Sequence, residues 1–398
     1  MSRASRSVVM TGGGSGGHIT PILAVAAELK RRSPDIRIIY IGQRGDSLGD
    51  IPRDDPNIDE VYTVFAGKFR RYHGEGFRQL LDIPTMLKNI RDAFYVLIGL
   101  VQSWRLIGRL RPDIIFSRGG FVSVPVSLGG ALRGVPYMTH DSDPVPSLAN
   151  RIIAPWALLH LVALPANIYP YKAKKTITTG IPLKREFKPV TPALKKSYRK
   201  ELDIPQNAKL LFIIGGGLGS QRVNYAVADA LPHLLGEFRD VWAVHVVGRA
   251  NQDEMQALYG QRLSAAEQGR VRILGFIPDV YHYSGAADLV ITRAGATNLA
   301  EFAVQGKACV VVPSAFLVAG HQLKNAQYLA EQGAAVVLNE SDLVDDPNRL
   351  AKQVSELLHD PKELTALGAK LRAFARPDAA KTIAKLILEQ ADAASSQD

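Results

Sequence analysis

Two glycine-rich segments, one in each half of the chain, have the residue types that bind phosphate. The first reads Gly-Gly-Gly-Ser-Gly-Gly-His at residues 12–18, and the second reads Gly-Gly-Gly-Leu-Gly-Ser at residues 215–220. Each follows a short apolar run typical of a buried parallel strand and precedes a helical pattern. Because the first N–H groups of a helix have no partner within the helix, such a turn favours an anion. The two turns predict an enzyme that holds a diphosphate donor in one half and an acceptor in the other.

His18 is the candidate base of the first segment. It lies at the start of a helix, where the positive end of the dipole disfavours imidazolium, so the ring is expected to be neutral and able to accept a proton. Gly12, Gly14 and Gly17 also fit the G-x-G-x-x-G pattern of nicotinamide and flavin enzymes. A dinucleotide-binding fold, however, needs an acidic residue for the ribose after the second strand, and residues 41–44 supply none. The segment also lacks the Gly-Lys-Ser/Thr ending of a P-loop.

A third cluster follows the strands of the second half. Residues 292–301 run from a strand end through small residues into a helix that carries Glu301. A carboxylate there can accept two hydrogen bonds from the vicinal hydroxyls of a ribose. His321, Gln322 and Asn325 follow the next strand, and their imidazole and amide groups can bind sugar hydroxyls. The cluster predicts a site for a nucleotide sugar.

Alternating strand and helix patterns must position these side chains. Strand candidates lie at residues 38–41, 114–116, 137–139 and 158–163, and again at 210–214, 244–247, 271–274, 289–292, 308–312 and 335–338. The helical patterns between them predict parallel βαβ units and two doubly wound α/β sheets. A charged segment with Gly and Pro at residues 172–182 suggests the crossing between domains. We expect domains at 1–180 and 181–376, and a C-terminal helix and tail at 377–398 that packs across them.

Composition limits the class of protein. The chain has 398 residues, 46% of them hydrophobic and 22% charged, as in an ordinary globular protein of two domains. A net charge of +10 favours anionic partners, but it does not distinguish nucleic acid from lipid or phosphorylated substrates. The single cysteine, Cys309, excludes an intrachain disulfide, fits a reducing cytoplasm, and is expected to be an inert strand residue. No secretory signal is visible, and the apolar run at 93–101 is far shorter than the ~20 residues of a membrane span.

With these motifs assembled, the chain resembles the MurG family of bacterial UDP-N-acetylglucosamine transferases over nearly its whole length. The resemblance is carried by residues 13–18 with Pro21, residues 119–123 with Pro125, residues 293–296 with Glu301, and residues 320–322 with Asn325. It implies the GT-B fold, with two Rossmann-like domains and a last helix that returns to the first. The implied reaction transfers N-acetylglucosamine from UDP-N-acetylglucosamine to undecaprenyl-pyrophosphoryl-N-acetylmuramyl-pentapeptide (lipid I). The product is lipid II of peptidoglycan synthesis, and no metal or other cofactor is expected.

The resemblance also implies a donor site in the second domain. Glu301 would bind the ribose, and the backbone at Phe276 and Ile277 would bind the uracil. The second glycine segment would bind the phosphates. His321 and Gln322 would bind the N-acetylglucosamine. The full set of expected donor-binding residues is Ser15, Gly16, Gly17, Gly216, Gly217, Gly219, Phe276, Ile277, Arg293, Gly295, Ala296, Glu301, His321 and Gln322.

Catalytic and acceptor residues are expected in or near the first domain. The reaction would invert the anomeric centre, with His18 as the base and Asp141 or Asp143 as the alternative. The expected acceptor- and phosphate-binding residues are Gly14, Asp143, Lys184, Arg185, Arg70 and Arg71. Asp141 and Asp143 also mimic the metal-binding D-x-D of other glycosyltransferases, but GT-B enzymes generally need no metal, so no metal site is predicted.

Three motifs depart from the family's pattern. The family's His-Glu-Gln-Asn appears as His-Asp-Ser-Asp at residues 140–143, and its Gly-Asn-Pro-Val-Arg as Gly-Ile-Pro-Leu-Lys at residues 180–184. Its Gly-Gly-Ser-Gln-Gly appears as Gly-Gly-Gly-Leu-Gly at residues 215–219. Two alternatives therefore stay open. One is another GT-B enzyme, such as a glycolipid synthase or a UDP-N-acetylglucosamine epimerase, and the other is a non-catalytic relative that binds UDP-sugar or lipid.

A basic and aromatic region of the first domain predicts contact with a membrane. Aromatic and basic residues alternate at residues 65–73, and residues 77–110 add further cations to a broad apolar face. A surface loop followed by a core helix is the simpler interpretation. Because the implied acceptor is an anionic diphospholipid, we expect peripheral association with the cytoplasmic face of the membrane through this region, including Arg70 and Arg71. No nucleic acid partner is expected.

Overall fold

The structure is a computed structural model that describes residues 6–13, 16–46, 48–68, 83–217, 219–314 and 320–395. The chain divides into two compact units. The N-terminal unit comprises Met1–Arg185 and Arg376–Asp398, and the C-terminal unit comprises Glu186–Ala375. Each unit is an α/β domain with a parallel sheet, as the strand and helix patterns predict.

In the N-terminal unit, strands alternate with helices around one sheet. Its elements up to the crossing are β1 (Ser7–Thr11), α1 (Gly16–Arg32), β2 (Arg37–Gln43), α2 (Asp50–Arg53), β3 (Glu60–Val64), α3 (Ile83–Leu110), β4 (Ile114–Ser117), α4 (Ser123–Ala131), β5 (Tyr137–Asp141), α5 (Leu148–Ile153), β6 (Leu159–Val162) and β7 (Thr176–Thr178). Within the described residues the sheet has seven parallel strands in the order β3-β2-β1-β4-β5-β6-β7. The strand order reverses between β1 and β4, which is where doubly wound sheets bind ligands.

The C-terminal unit repeats this plan. Its elements are α6 (Pro192–Glu201), β8 (Lys209–Ile214), α7 (Gln221–Glu237), β9 (Val241–Val246), α8 (Gln252–Arg262), α9 (Ala265–Gln268), β10 (Val271–Leu274), α10 (Val280–Ala286), β11 (Leu289–Thr292), α11 (Ala296–Gln305), β12 (Ala308–Val311), α12 (His321–Glu331), β13 (Val336–Val337), α13 (Glu340–Asp345), α14 (Arg349–His359) and α15 (Pro361–Arg372). The described strands form a six-stranded parallel sheet in the order β10-β9-β8-β11-β12-β13. Here the order reverses between β8 and β11.

Local sequence signals explain where several helices begin and end. The Ser147 and Thr191 hydroxyls accept hydrogen bonds from backbone N–H groups in the first turns of α5 and α6, and the Asp360 carboxylate does the same for α15. Helix α11 ends at Gly306, whose φ of 69° is a left-handed conformation that favours glycine. Cys309 is fully buried on β12, and burial raises the pKa of its thiol, which keeps it inert as expected.

The last helix, α16 (Ala379–Ser395), returns to the N-terminal unit. Its Ile383 and Ile387 side chains are fully buried in the same apolar cluster as Val8 and Ile22 of β1 and α1. This confirms the predicted return of the final helix to the first domain. No helix in the described ranges has both the length and the apolar character that crossing a membrane requires.

Two strands were not among the sequence candidates, and both lie at an edge of the first sheet. Most residues of β3 are only partly buried, and its sequence includes polar residues, so it lacks the continuous apolar run that indicates a buried strand. Strand β7 falls within the charged segment at 172–182 that suggested the crossing between domains. In the division into two units, Arg185 is the last residue of the first segment of the N-terminal unit, and it forms an ion pair with Glu28 of α1.

Candidate active site

The first glycine segment and a second pair of glycines meet where the strand order of the N-terminal sheet reverses. Gly13 follows β1, and Gly119 and Gly120 follow β4 with φ values of 89° and 82°. A Cβ atom on Gly120 would lie 2.6 Å from the Gly13 carbonyl oxygen, so only glycine allows these two turns to approach this closely. Gly14 and Ser15 lie outside the described residues, and α1 begins at Gly16.

The ring of His18 is oriented by a backbone carbonyl. Its Nδ1 atom lies 2.9 Å from the Gly13 oxygen. Since a carbonyl oxygen only accepts, Nδ1 carries the proton and Nε2 is the acceptor of the neutral ring. Burial lowers the pKa of His18, and the nearby Arg118 charge lowers it further, against smaller opposing effects of the Gly13 carbonyl and Asp143. The ring is thus neutral as expected, and burial is the largest cause of the lowered pKa.

Arg118 is a buried cation of this site that the motif analysis did not single out. Only 3% of the residue is exposed, and its Nη2 atom donates to the Ser142 hydroxyl. Burial lowers the pKa of the guanidinium to about 10, so it stays charged at neutral pH, and the carboxylates of Asp143 and Asp141 favour that charge. His18, Arg118, Ser142 and Asp143 therefore form one polar cluster at the ends of β1, β4 and β5.

Asp141 is held in a hydrogen-bond network. It is 4% exposed, and its carboxylate accepts from the Tyr171 hydroxyl at 2.7 Å and from Asn150 Nδ2 at 2.8 Å. The backbone N–H of Ser147 adds a longer contact. Both oxygens thus have donors from the chain itself, while burial raises the pKa of the carboxyl group. This arrangement favours a structural role for Asp141, whereas Asp143, the other predicted alternative base, interacts electrostatically with both His18 and Arg118.

The other expected acceptor residues are more dispersed. Lys184 is exposed, and Arg185 donates to Glu28, which is 2% exposed on α1. Arg70 and Arg71 lie outside the described residues. Across the described ranges there is no group of three or more His, Cys, Asp or Glu side chains placed to hold a metal ion.

The second glycine segment joins β8 to α7. Gly216 and Gly219 have φ values of 100° and 78°, and a Cβ atom on Gly219 would lie 2.0 Å from the Val247 carbonyl oxygen. Ser220 is the N-cap residue of α7, and the first helical bond runs from Asn224 N to Ser220 O at 2.8 Å. The N–H groups of the first turn precede Asn224 in the chain and have no acceptor within the helix. The segment therefore has the geometry of an anion site.

Arg293 and Glu301 lie at the carboxyl end of the neighbouring strand. Arg293 follows β11, is 8% exposed, and donates to the Ser220 hydroxyl and to the Glu340 carboxylate. Gly295 is the N-cap of α11, Ala296 is its first residue, and Glu301 is buried further along the same helix. The sequence did not indicate Glu340, because nothing in the neighbouring residues distinguishes it from other acidic residues at the start of a helix.

The remaining expected donor residues lie at the same edge of the sheet. Phe276 follows β10 and is 49% exposed, with the Arg249 guanidinium 4.6 Å from its ring centroid, whereas Ile277 is buried. His321 begins α12, and Gln322 Oε1 accepts from the Ser314 N–H at 2.9 Å. Sheet topology therefore brings the described donor candidates of this unit to the carboxyl ends of β8, β10, β11 and β12.

Comparisons with known proteins agree with this architecture. Residues 8–159 match the glycosyltransferase family 28 N-terminal domain, and residues 210–383 match the corresponding C-terminal domain. A Moorella thermoacetica protein named UDP-N-acetylglucosamine–N-acetylmuramyl-(pentapeptide) pyrophosphoryl-undecaprenol N-acetylglucosamine transferase is 34% identical over 96% of this chain and 98% of its own. A Bacillus thuringiensis transferase of the same name, numbered 3, is 35% identical over 96% of this chain and 99% of its own.

Solved structures extend the comparison. The crystal structure of Acinetobacter baumannii MurG has a TM-score of 0.69 and 26% sequence identity, covering 96% of this chain and 99% of that one. A UDP-N-acetylglucosamine 2-epimerase has a TM-score of 0.66, covering 96% of this chain and 95% of its own. At 13% identity the epimerase shows only that the fold is shared. From both family-domain matches and these near full-length relatives, the chain is a glycosyltransferase with the GT-B fold and belongs to glycosyltransferase family 28, within its MurG family.

Proposed function

We propose that the protein transfers N-acetylglucosamine from UDP-N-acetylglucosamine to undecaprenyl-pyrophosphoryl-N-acetylmuramyl-pentapeptide, giving lipid II for peptidoglycan synthesis. The observation that carries the proposal is the similarity to transferases of that name over 96% of the chain. Both units retain a glycine turn at a helix start, which fits a reaction whose donor and acceptor each contain a diphosphate. The N-terminal unit would bind the acceptor and the C-terminal unit the donor.

His18 acts as the general base in this proposal. The acceptor hydroxyl donates its proton to His18 Nε2 as its oxygen attacks the anomeric carbon, and the configuration at that carbon inverts. The Gly13 carbonyl fixes the required tautomer. Burial and the positive charge of Arg118 both lower the pKa of the ring and so keep it unprotonated. No covalent intermediate with the protein is formed.

UDP leaves with its charge stabilised by the C-terminal unit. The first turn of α7 offers backbone N–H donors and the positive end of a helix dipole to the diphosphate. Glu301 binds the ribose, the backbone at Phe276 and Ile277 the uracil, and His321 with Gln322 the sugar. Fixed dipoles of this kind stabilise a leaving phosphate, so we propose that transfer needs no metal ion.

Helix α3 supports the proposed membrane association. Large apolar side chains project from one side of it into solvent, and they are Met86, Leu87, Ile90, Phe94, Leu97, Ile98, Val101 and Trp104. Most of them recur every three or four residues, and the whole set lies on one broad face of the helix. Exposed Lys88, Arg91 and Arg105 accompany them. An apolar face with cations fits shallow insertion into an anionic bilayer, which also holds the proposed acceptor at the cytoplasmic face.

The test of the proposed function is a transfer assay with radiolabelled UDP-N-acetylglucosamine and lipid I. We expect labelled lipid II, with turnover unchanged by EDTA. Formation of an epimer or free sugar would instead support another GT-B activity, and donor binding without turnover would support a non-catalytic relative. Either of those results contradicts the proposal.

The base assignment is tested by His18→Asn in the same assay. We expect kcat to fall by roughly 100-fold or more, the usual contribution of a general base. Because the pKa of His18 is lowered, the wild-type acid limb of kcat/KM should lie below the ordinary histidine value of about 6.5. The limb should be absent from the variant. Near-normal turnover of His18→Asn, with lipid I as acceptor, would show that another group is the base.

Membrane association is tested by co-sedimentation with vesicles of defined composition. The double variant Phe94→Ser/Leu97→Ser removes two side chains that are 61% and 59% exposed, so folding should be unaffected. We expect weaker binding to anionic vesicles, and weaker wild-type binding at high salt, since each basic residue contributes about 1 kcal/mol near an anionic surface. Val344→Ser, at a 76% exposed apolar residue of the C-terminal unit, is the matched control. Equal wild-type binding to neutral and anionic vesicles would rule out this mode of attachment.

A further inference from the structure

The side chain of Ser220 has an unusual partner for a helix N-cap. A serine at this position ordinarily accepts a hydrogen bond from a backbone N–H of the first turn. Over the described residues around α7, the Ser220 hydroxyl makes no such capping bond. It accepts instead from Arg293, at 2.9 Å from Nε and 2.6 Å from Nη2. The hydroxyl therefore does not occupy the N–H groups that the proposed diphosphate site requires.

Arg293 is itself held by the fold. Its Nη1 atom donates to the Val312 carbonyl oxygen at 3.1 Å, and Nη2 also donates to Glu340 Oε1 at 2.5 Å. Glu340 is 7% exposed, and its second oxygen accepts from Arg222 at 2.8 Å. All three nitrogens of the Arg293 guanidinium are thus engaged with the protein. This geometry leaves little hydrogen-bonding capacity for a ligand.

The position of Ser220 fixes the shape of the second glycine segment. A Cβ atom on Gly215 would lie 2.7 Å from Ser220 Cβ, so the two ends of the turn are in close contact. Arg293 joins this turn after β8 to the end of β11, and Glu340 extends the connection to the start of α13. The cluster has two arginines and one glutamate, so its formal charge of about +1 suits an adjacent diphosphate.

We propose that Arg293 is a positioning residue for the donor diphosphate and not a direct donor ligand. Through its bonds to the Ser220 hydroxyl it holds the glycine turn in place, and the turn in turn positions the amide groups at the start of α7 for the phosphates. The planar fork of arginine makes the two bonds to Ser220 and the bond to Glu340 together, which the point charge of lysine cannot do. The inference rests on the proposed function, because it assumes that the C-terminal unit binds UDP.

The experiment measures the affinities of the full-length protein for UDP and for uridine by calorimetry. Arg293→Lys should weaken UDP binding by roughly tenfold, the loss expected for one charge-assisted hydrogen bond. Ser220→Ala should also weaken it, and the double variant should bind UDP no more weakly than Arg293→Lys alone. Uridine affinity should be unchanged in all three variants, since uridine has no diphosphate. A merely structural defect would weaken both ligands.

Arg270→Lys is the matched control. Arg270 donates to the backbone oxygens of Phe238, Val241 and Leu235 before β10, at the opposite end of the strands. Its replacement should leave UDP affinity unchanged.

Two results would overturn the inference. Wild-type UDP affinity in Ser220→Ala, with a loss only in Arg293→Lys, would mean that Arg293 contacts the phosphates directly. Independent, additive losses in the double variant would mean the same. If Arg293→Lys does not fold, Ser220→Ala still decides the question, because it removes a single oxygen atom. Failure of the proposed function is distinguishable, because it would appear in the transfer assay with lipid I, whereas the inference about Arg293 requires only that the wild-type protein binds UDP.

Discussion

The starts of α1 and α7 are the feature on which the rest of the structure depends, because the first N–H groups of a helix have no partner within the helix. Each helix follows a central parallel strand through a glycine turn, at the place where the strand order of its sheet reverses. Parallel strands all end at one edge, so side chains from segments far apart in the chain gather around each turn. The glycines matter because the turns approach other backbone segments too closely for a Cβ atom.

The two units complement these turns with different charged groups. In the N-terminal unit, a buried arginine lies beside a neutral histidine and Asp143, an environment suited to accepting a proton from a hydroxyl. In the C-terminal unit, Arg293 is paired with Glu340 and fixes Ser220, an arrangement suited to holding a turn rigid. The same α/β plan thus suits the proposed proton-accepting site in one unit and the proposed anion site in the other.

Much of the fold could be predicted from the sequence, because central parallel strands are apolar on both faces and helical patterns separate them. Strands β3 and β7 were missed because both lie at sheet edges and most of their residues are not fully buried. The glycine turns and His18 were singled out from local motifs. Arg118 and Glu340 were not, since their partners Ser142 and Arg293 lie 24 and 47 residues away and only the sheet topology brings them together. The network around Asp141 likewise depends on Tyr171, 30 residues further along the chain.

The most direct test of this account is a crystal structure of the protein with UDP bound. We expect the diphosphate to accept hydrogen bonds from backbone N–H groups in the first turn of α7, with the Arg293 side chain still on Ser220 and Glu340. A diphosphate bound away from this turn, with the first N–H groups of α7 facing water, would contradict the account.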